Sequence, residues 1–262
     1  MTRTEPYTSK LGAGLGLPEE TRILLALWRP SMDSAQLCQA ALASGRFPNV
    51  TARRLRNIVA ECFAPRYLVQ DAVPAKVLQA LQTRLPSAEF SQLLFLYTCR
   101  ANLILADFVR DIYWRRYAGG ATAVTNQEAQ AFVTQATHGG RTEAPWSDST
   151  IQNVAGYLTG CCADYGLLEA GQRRVRRILP FRLGSGAAAV LAYDLHFAGL
   201  GDNAVLGHAE WGLFGLEPGE VRDEFRRLSL RGYLVLQTAG DLVRVGWPLK
   251  TWEDLIHVLS QG

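Results

Sequence analysis

Lysine is nearly absent. Three lysines (Lys10, Lys76, Lys250) stand against 24 arginines in a chain of 262 residues. Almost every positive charge is therefore a planar guanidinium, which forks onto phosphates better than an ammonium does. A GC-rich genome produces the same bias, and composition alone does not separate the two origins. Cysteine is scarce as well. Cys38, Cys62, Cys99, Cys161 and Cys162 form no CxxC pair and sit in apolar runs, which predicts small core residues in a reducing cytoplasm. The four histidines, at 138, 196, 208 and 257, have no metal-ligand spacing. GxSxG, HExxH and a spaced acidic cluster are all missing, and the glycine-rich "LGAGLGLPEE" lacks the lysine of a phosphate-binding loop. The expectation is no catalysis, no metal and no cofactor.

Long apolar runs are missing too. The most hydrophobic window, Leu93 to Val109, is interrupted by Arg100, Asn102 and Asp107, whereas a spanning helix needs about 20 mostly apolar residues. It reads as a buried helix. The first residues, "MTRTEPYTSK", lack the apolar core of a signal peptide. A soluble cytoplasmic protein with no membrane partner is expected.

What is present is mostly helical periodicity. "PEETRILLALWR" carries Pro18 and two glutamates at a helix's positive end, and "DSAQLCQAALASG" offers Asp33 as N-cap and Gly45 as stop. "NVTARRLRNIVAECFAPR" puts Leu55, Ile58, Val59, Cys62 and Phe63 on one stripe, opposite Arg53, Arg56, Asn57 and Ala60. A helix near 75–84, a long central helix over 88–117 and a helix capped by Thr125 follow. "HGGRTEAPWSDS" is the clearest linker. These signals predict a helical domain over 1–140, a helix plus basic hairpin over 147–183, and a winged-helix-like domain over 185–262.

Past the linker an arrangement occurs twice: an amphipathic helix, a glycine, a short strand, a turn, a second strand and a proline. In the first copy Asp148 caps the helix, Gly166 opens the first strand and Pro180 closes the second. In the second copy Val221, Phe225 and Leu228 line the helix, preceded by "DNAVLGHAEWGLFGL" as a further helix. Val243, Val245 and Trp247 then make an apolar strand face, with Arg244 opposite. Helix plus hairpin is the outline of a winged helix-turn-helix, and also of docking modules.

The first hairpin is the unusual one. "EAGQRRVRRILPFRL" holds five arginines. Strand alternation puts Arg173 and Arg177 on one face and Arg174 and Arg176 on the other. Charge on both faces suits a wing standing away from the body and gripping phosphates; an edge guarded by solvated charge is the competing reading. Further candidate contacts are Arg53, Arg54, Arg56 and Asn57 on the basic helix, Gln152 and Asn153 as possible base readers, and Arg222 and Arg226 on the later helix.

"YTSKLGAGLGLPEETRILLAL", "TARRLRNIVAECFAPR", "CRANLILADFVRDIYW" and the distal "FGLEPGEVRDEFRRLSLRGYLVLQTAGDLVRVGWPLKTWEDLI", in order from Tyr7 to Ile256, resemble the BrxA family, small accessory proteins of the BREX phage-defence system. The resemblance implies a mainly α-helical protein with a NusB-like bundle, DNA binding, and no catalytic activity. The system's methyltransferase, phosphatase and ATPase would carry the chemistry. Members have been labelled inner-membrane proteins, which this sequence does not support. Duplex DNA is thus the expected partner, with other BREX proteins. A protein-docking scaffold or a NusB-like RNA binder is the alternative.

Overall fold

The computed structural model describes residues 5–171, 174–239 and 242–261. It is mainly helical with two small antiparallel sheets. Compactness divides the chain into two units, each discontinuous in sequence: Met1–Lys76 with Tyr97–Phe181, and Val77–Leu96 with Arg182–Gly262. These boundaries run differently from three consecutive segments.

The first unit begins with a glycine-rich turn, Lys10–Ala13, followed by α1 (Pro18–Leu27) and α2 (Ser34–Ala43). Asp33 caps α2 as expected, with Gln36 closing a capping box, and Gly45 beyond its end takes φ 66°. Then α3 (Ala52–Asn57) runs through a π-turn at Ile58–Phe63 into α4 (Ala64–Tyr67). The stripe from Leu55 to Phe63 is fully buried. The widened turn was invisible to a strict 3.6-residue period.

α5 (Val73–Leu81) and α6 (Ser87–Ala101) come next. The long helix expected over 88–117 is not continuous. Asn102 leaves helical geometry (φ −140°, ψ 85°), and its Nδ2 donates to the Thr98 carbonyl at 2.9 Å. An asparagine side chain that bonds its own backbone competes with the helix ladder. The chain resumes as α7 (Leu103–Phe108), a second π-turn at Val109–Tyr113, and α8 (Trp114–Ala118). No single helix among the described residues is long and apolar enough to cross a membrane. The pair Ser87–Ala101 and Leu103–Ala118 has the length and composition only together, bent through 115°.

β1 (Ala123–Thr125) leads into α9 (Asn126–His138), where Thr125 and Glu128 form the capping box. α10 (Asp148–Asp164) packs along α9. Its N-cap is Ser147, not Asp148: Ser147 Oγ accepts from the Thr150 amide at 3.3 Å, and Asp148 sits in the first turn. β2 (Val175–Arg177) completes this unit. Trp28, Phe63, Tyr67, Phe108 and Tyr113 form its aromatic core.

In the second unit α11 (Ser185–Phe197) is followed by α12 (Asp202–Leu206), a 3-10 turn at Ala209–Phe214 and α13 (Pro218–Leu230). The expected helix over "DNAVLGHAEWGLFGL" is thus two short pieces, parted at Gly207 and His208. Val221, Phe225 and Leu228 are buried as their spacing predicts. β3 (Val235–Ala239) pairs antiparallel with β4 (Leu242–Gly246), and α14 (Trp252–Leu259) closes the chain. Val243, Val245 and Trp247 are buried and Arg244 is exposed, again as expected.

Candidate nucleic-acid interface

The arginine run is held on both edges. On one side β2 pairs with β1, in the register Ala123↔Arg177, Val124↔Arg176 and Thr125↔Val175. The Ile178 amide donates to the Thr122 carbonyl at 2.9 Å, and the Asn126 amide to the Arg174 carbonyl at 2.8 Å. On the other side the Glu169 amide donates to the Arg177 carbonyl at 2.9 Å, and the Leu179 amide to the Leu167 carbonyl at 3.0 Å. Val124, Leu167 and Leu168 are fully buried and anchor these flanking segments. The expected free-standing hairpin is therefore corrected. The run is the middle of a three-segment ribbon, because residues 122–126 cover the edge that local sequence left open.

This placement separates the arginines. Arg174 is exposed, and its guanidinium makes no hydrogen bond or ion pair among the described residues. The Arg177 side chain is 67% exposed and stands 4.0 Å from the Glu169 carboxylate. Arg176 instead turns inward: Nη1 donates to the Glu169 carbonyl at 3.0 Å, and its buried Nε meets no partner among the described residues. Behind it lie Asp164 and Cys162. Burial pushes the Asp164 carboxyl above its usual range, against the opposing pull of the Gly16 amide and Arg176. The Cys162 thiol is pushed up to about 12, again by burial first, with Arg176 opposing. It is a packed, protonated thiol. Charge on both faces of the strand is thus tolerated because one face uses a guanidinium to cap a backbone carbonyl. Arg173 lies outside the described residues.

Two arginines that sequence reading missed lead into this ribbon. Arg115 and Arg116 are exposed on α8, which the short 119–122 loop joins to β1. Arg116 Nε lies 3.0 Å from Glu128, and Arg115 pairs with Asp111 at 3.4 Å. Trp114 meets Phe181 edge-on at 5.4 Å between centroids, tying α8 to the segment after β2. The β1–β2 pairing and the Trp114–Phe181 contact attach α8 to the ribbon, and no local signal announces either.

The other candidates lie on separate elements. Arg53, Arg56 and Asn57 are exposed on α3, while Arg54 donates to the Ala13 carbonyl. Gln152 and Asn153 are exposed on the first turns of α10. In the second unit Arg222 and Arg226 are exposed on α13, where Arg226 pairs with Asp223.

A comparison with curated proteins finds no match. The family model described as BrxA matches residues 5–193, which takes in β1, β2 and the ribbon they form but stops before α12, α13 and the β3–β4 hairpin. With about seven-tenths of its length matched, the chain belongs to the BrxA family.

Proposed function

We propose that this chain is a non-enzymatic, DNA-binding component of a BREX-type phage-defence system, holding duplex DNA mainly by arginine–phosphate contacts. Family membership supports the defence role. The observation that carries the binding mode is the pairing of exposed Arg174 and Arg177 with a ribbon fixed on both edges. Guanidinium groups on a rigid strand lose little backbone freedom on meeting a phosphate, so more of each contact survives as affinity. Fixing the ribbon positions the protein on a backbone without reading bases, while Gln152 and Asn153 are the candidates for reading them. In the second unit, the order α11 to α13 followed by a hairpin fits a winged-helix-type module, with Arg222 and Arg226 on its last helix as supplementary contacts. Arg53, Arg54, Arg56 and Asn57 supply a further basic helix face, of which Arg54 already serves the Ala13 carbonyl.

A gel-shift series with duplex DNA, single-stranded DNA and RNA tests this directly. The Arg174→Ala/Arg177→Ala variant should lose duplex affinity alike on unrelated sequences. Unchanged affinity would remove the ribbon from the interface. No nuclease, ATPase or methyltransferase turnover should accompany the purified chain.

Docking to another BREX protein is the second reading, favoured by one observation. Leu230, at the end of α13, is 89% exposed, and Val235, at the start of β3, is 50% exposed. Apolar side chains this exposed suit a protein contact better than a phosphate contact.

A further inference from the structure

Beside the arginines of the ribbon stands an aromatic cluster that phosphate binding does not use. Tyr117 is the penultimate residue of α8 and remains 38% exposed. Its ring lies 5.2 Å from Trp114 in edge contact, and 6.2 Å from Tyr113 at a tilt of 38°. Trp114 in turn meets Phe181, and the Tyr113 hydroxyl donates to the Leu167 carbonyl at 3.1 Å. These contacts bracket β2: Leu167 lies on the segment beside it, and Phe181 follows four residues after Arg177. The ring is thus braced from within and open outward. The chain leaves α8 through Gly119 and Gly120, and a side chain at Gly120 would meet nothing within 4 Å. The π-turn that feeds α8 is of a kind that recurs at functional sites.

We propose that Tyr117 is a stacking platform for an unpaired nucleobase, with Arg115 and Arg116 before it on α8 and exposed Arg174 and Arg177 on the ribbon that its aromatic neighbours touch. The preferred ligand is then DNA in which a duplex gives way to a single-stranded segment. This rests on the reading that the ribbon grips phosphates. The chemistry favours a base over an apolar protein side chain, because Arg115 and Arg116 are exposed on the same helix and Arg174 and Arg177 on the ribbon that Tyr113 touches, and such charge attracts a polyanion. An aromatic face set in a basic groove is the recurrent device for holding unpaired bases, and it tolerates any sequence since every base has a π-face.

The test compares one blunt duplex with the same duplex carrying a five-thymine overhang, using the full chain and fluorescence anisotropy. The overhang should bind more tightly. Tyr117→Ala should abolish that advantage, a loss of about fivefold or more, while leaving blunt-duplex affinity unchanged. Tyr117→Phe should retain the advantage, which separates stacking from a hydroxyl contact and controls for folding. Equal affinity of the parental chain for both ligands overturns the proposal and leaves the phosphate-grip reading intact. So does a Tyr117→Ala variant that weakens both ligands alike. Conversely, an overhang advantage that persists when Arg174→Ala/Arg177→Ala leaves blunt-duplex binding untouched would sink the grip reading and keep the platform.

Discussion

Arg176 Nη1 donates to the Glu169 carbonyl across the ribbon at 3.0 Å, whereas the next residue, Arg177, directs its guanidinium outward. Neighbouring arginines in one strand therefore do different work. Arg176→Ala leaves a carbonyl unmet and removes charge from beside Asp164, and should cost about 1–3 kcal/mol of stability. Arg177→Ala should change stability by less than about 0.5 kcal/mol and weaken DNA binding instead. Urea unfolding and a binding titration on both variants separate the two effects.

The glycine-rich turn depends on one buried guanidinium. Arg66 is 3% exposed and donates to the carbonyls of Gly16 at 3.1 Å and Leu15 at 2.6 Å. The Tyr165 hydroxyl also donates to Gly16, whose own amide donates to Asp164 at 2.9 Å. Leu15 and Leu17 hold left-handed backbone at φ 55° and 52°, which the surrounding bonds must stabilise. Arg66→Met should lower stability by about 3 kcal/mol, measured by chemical denaturation. Gly16→Ala should also destabilise, because its Cβ would fall 2.6 Å from Asp164 Cβ.

Helix phase at the end of α13 offers a sharp contrast. Leu228 is fully buried and Leu230 almost fully exposed. Leu228→Ala should cost about 2–5 kcal/mol, and Leu230→Ser less than about 0.5 kcal/mol. Similar losses at both positions would mean that the helix is rotated from the orientation described.

The second unit should weaken in acid through His196. Its ring stacks on Trp247 at 4.3 Å and 7°, and burial holds its pKa below the usual 6.5, with Lys250 adding to the shift and Asp202 opposing it. The folded state binds a proton less readily than the unfolded chain, so this contribution is present above pH 6.5 and is lost as pH falls below it through the lower folded-state pKa. His196→Phe should flatten the fall in Tm between pH 7 and pH 5 relative to the parental chain. An identical fall in both proteins would exclude His196 as a source.

Much of this fold was legible locally. Asp33, Thr125 and Gly45 announced helix ends because capping is a short-range bond or a single backbone angle. The Leu55 and Val221 stripes followed from period alone. Asn102 is a weak signal of a break, because the apolar run on both sides of it continues the helical pattern. The pairing of Val175–Arg177 with Ala123–Thr125 was not legible, since it joins strands some fifty residues apart and nothing in either sequence specifies the other. For the same reason local sequence does not single out Arg115 and Arg116, and strand alternation alone does not set Arg176 apart from its neighbours.

The most direct measurement is the salt dependence of duplex affinity for the parental chain and for Arg173→Ala/Arg174→Ala/Arg177→Ala, with Arg176 left in place. Each neutralised phosphate contributes about −0.9 to the slope of log K against log salt. The triple variant should flatten that slope by roughly 1 to 3 units, equally for unrelated sequences, with Tm unchanged. A slope equal to that of the parental chain would show that the ribbon arginines do not hold the DNA backbone.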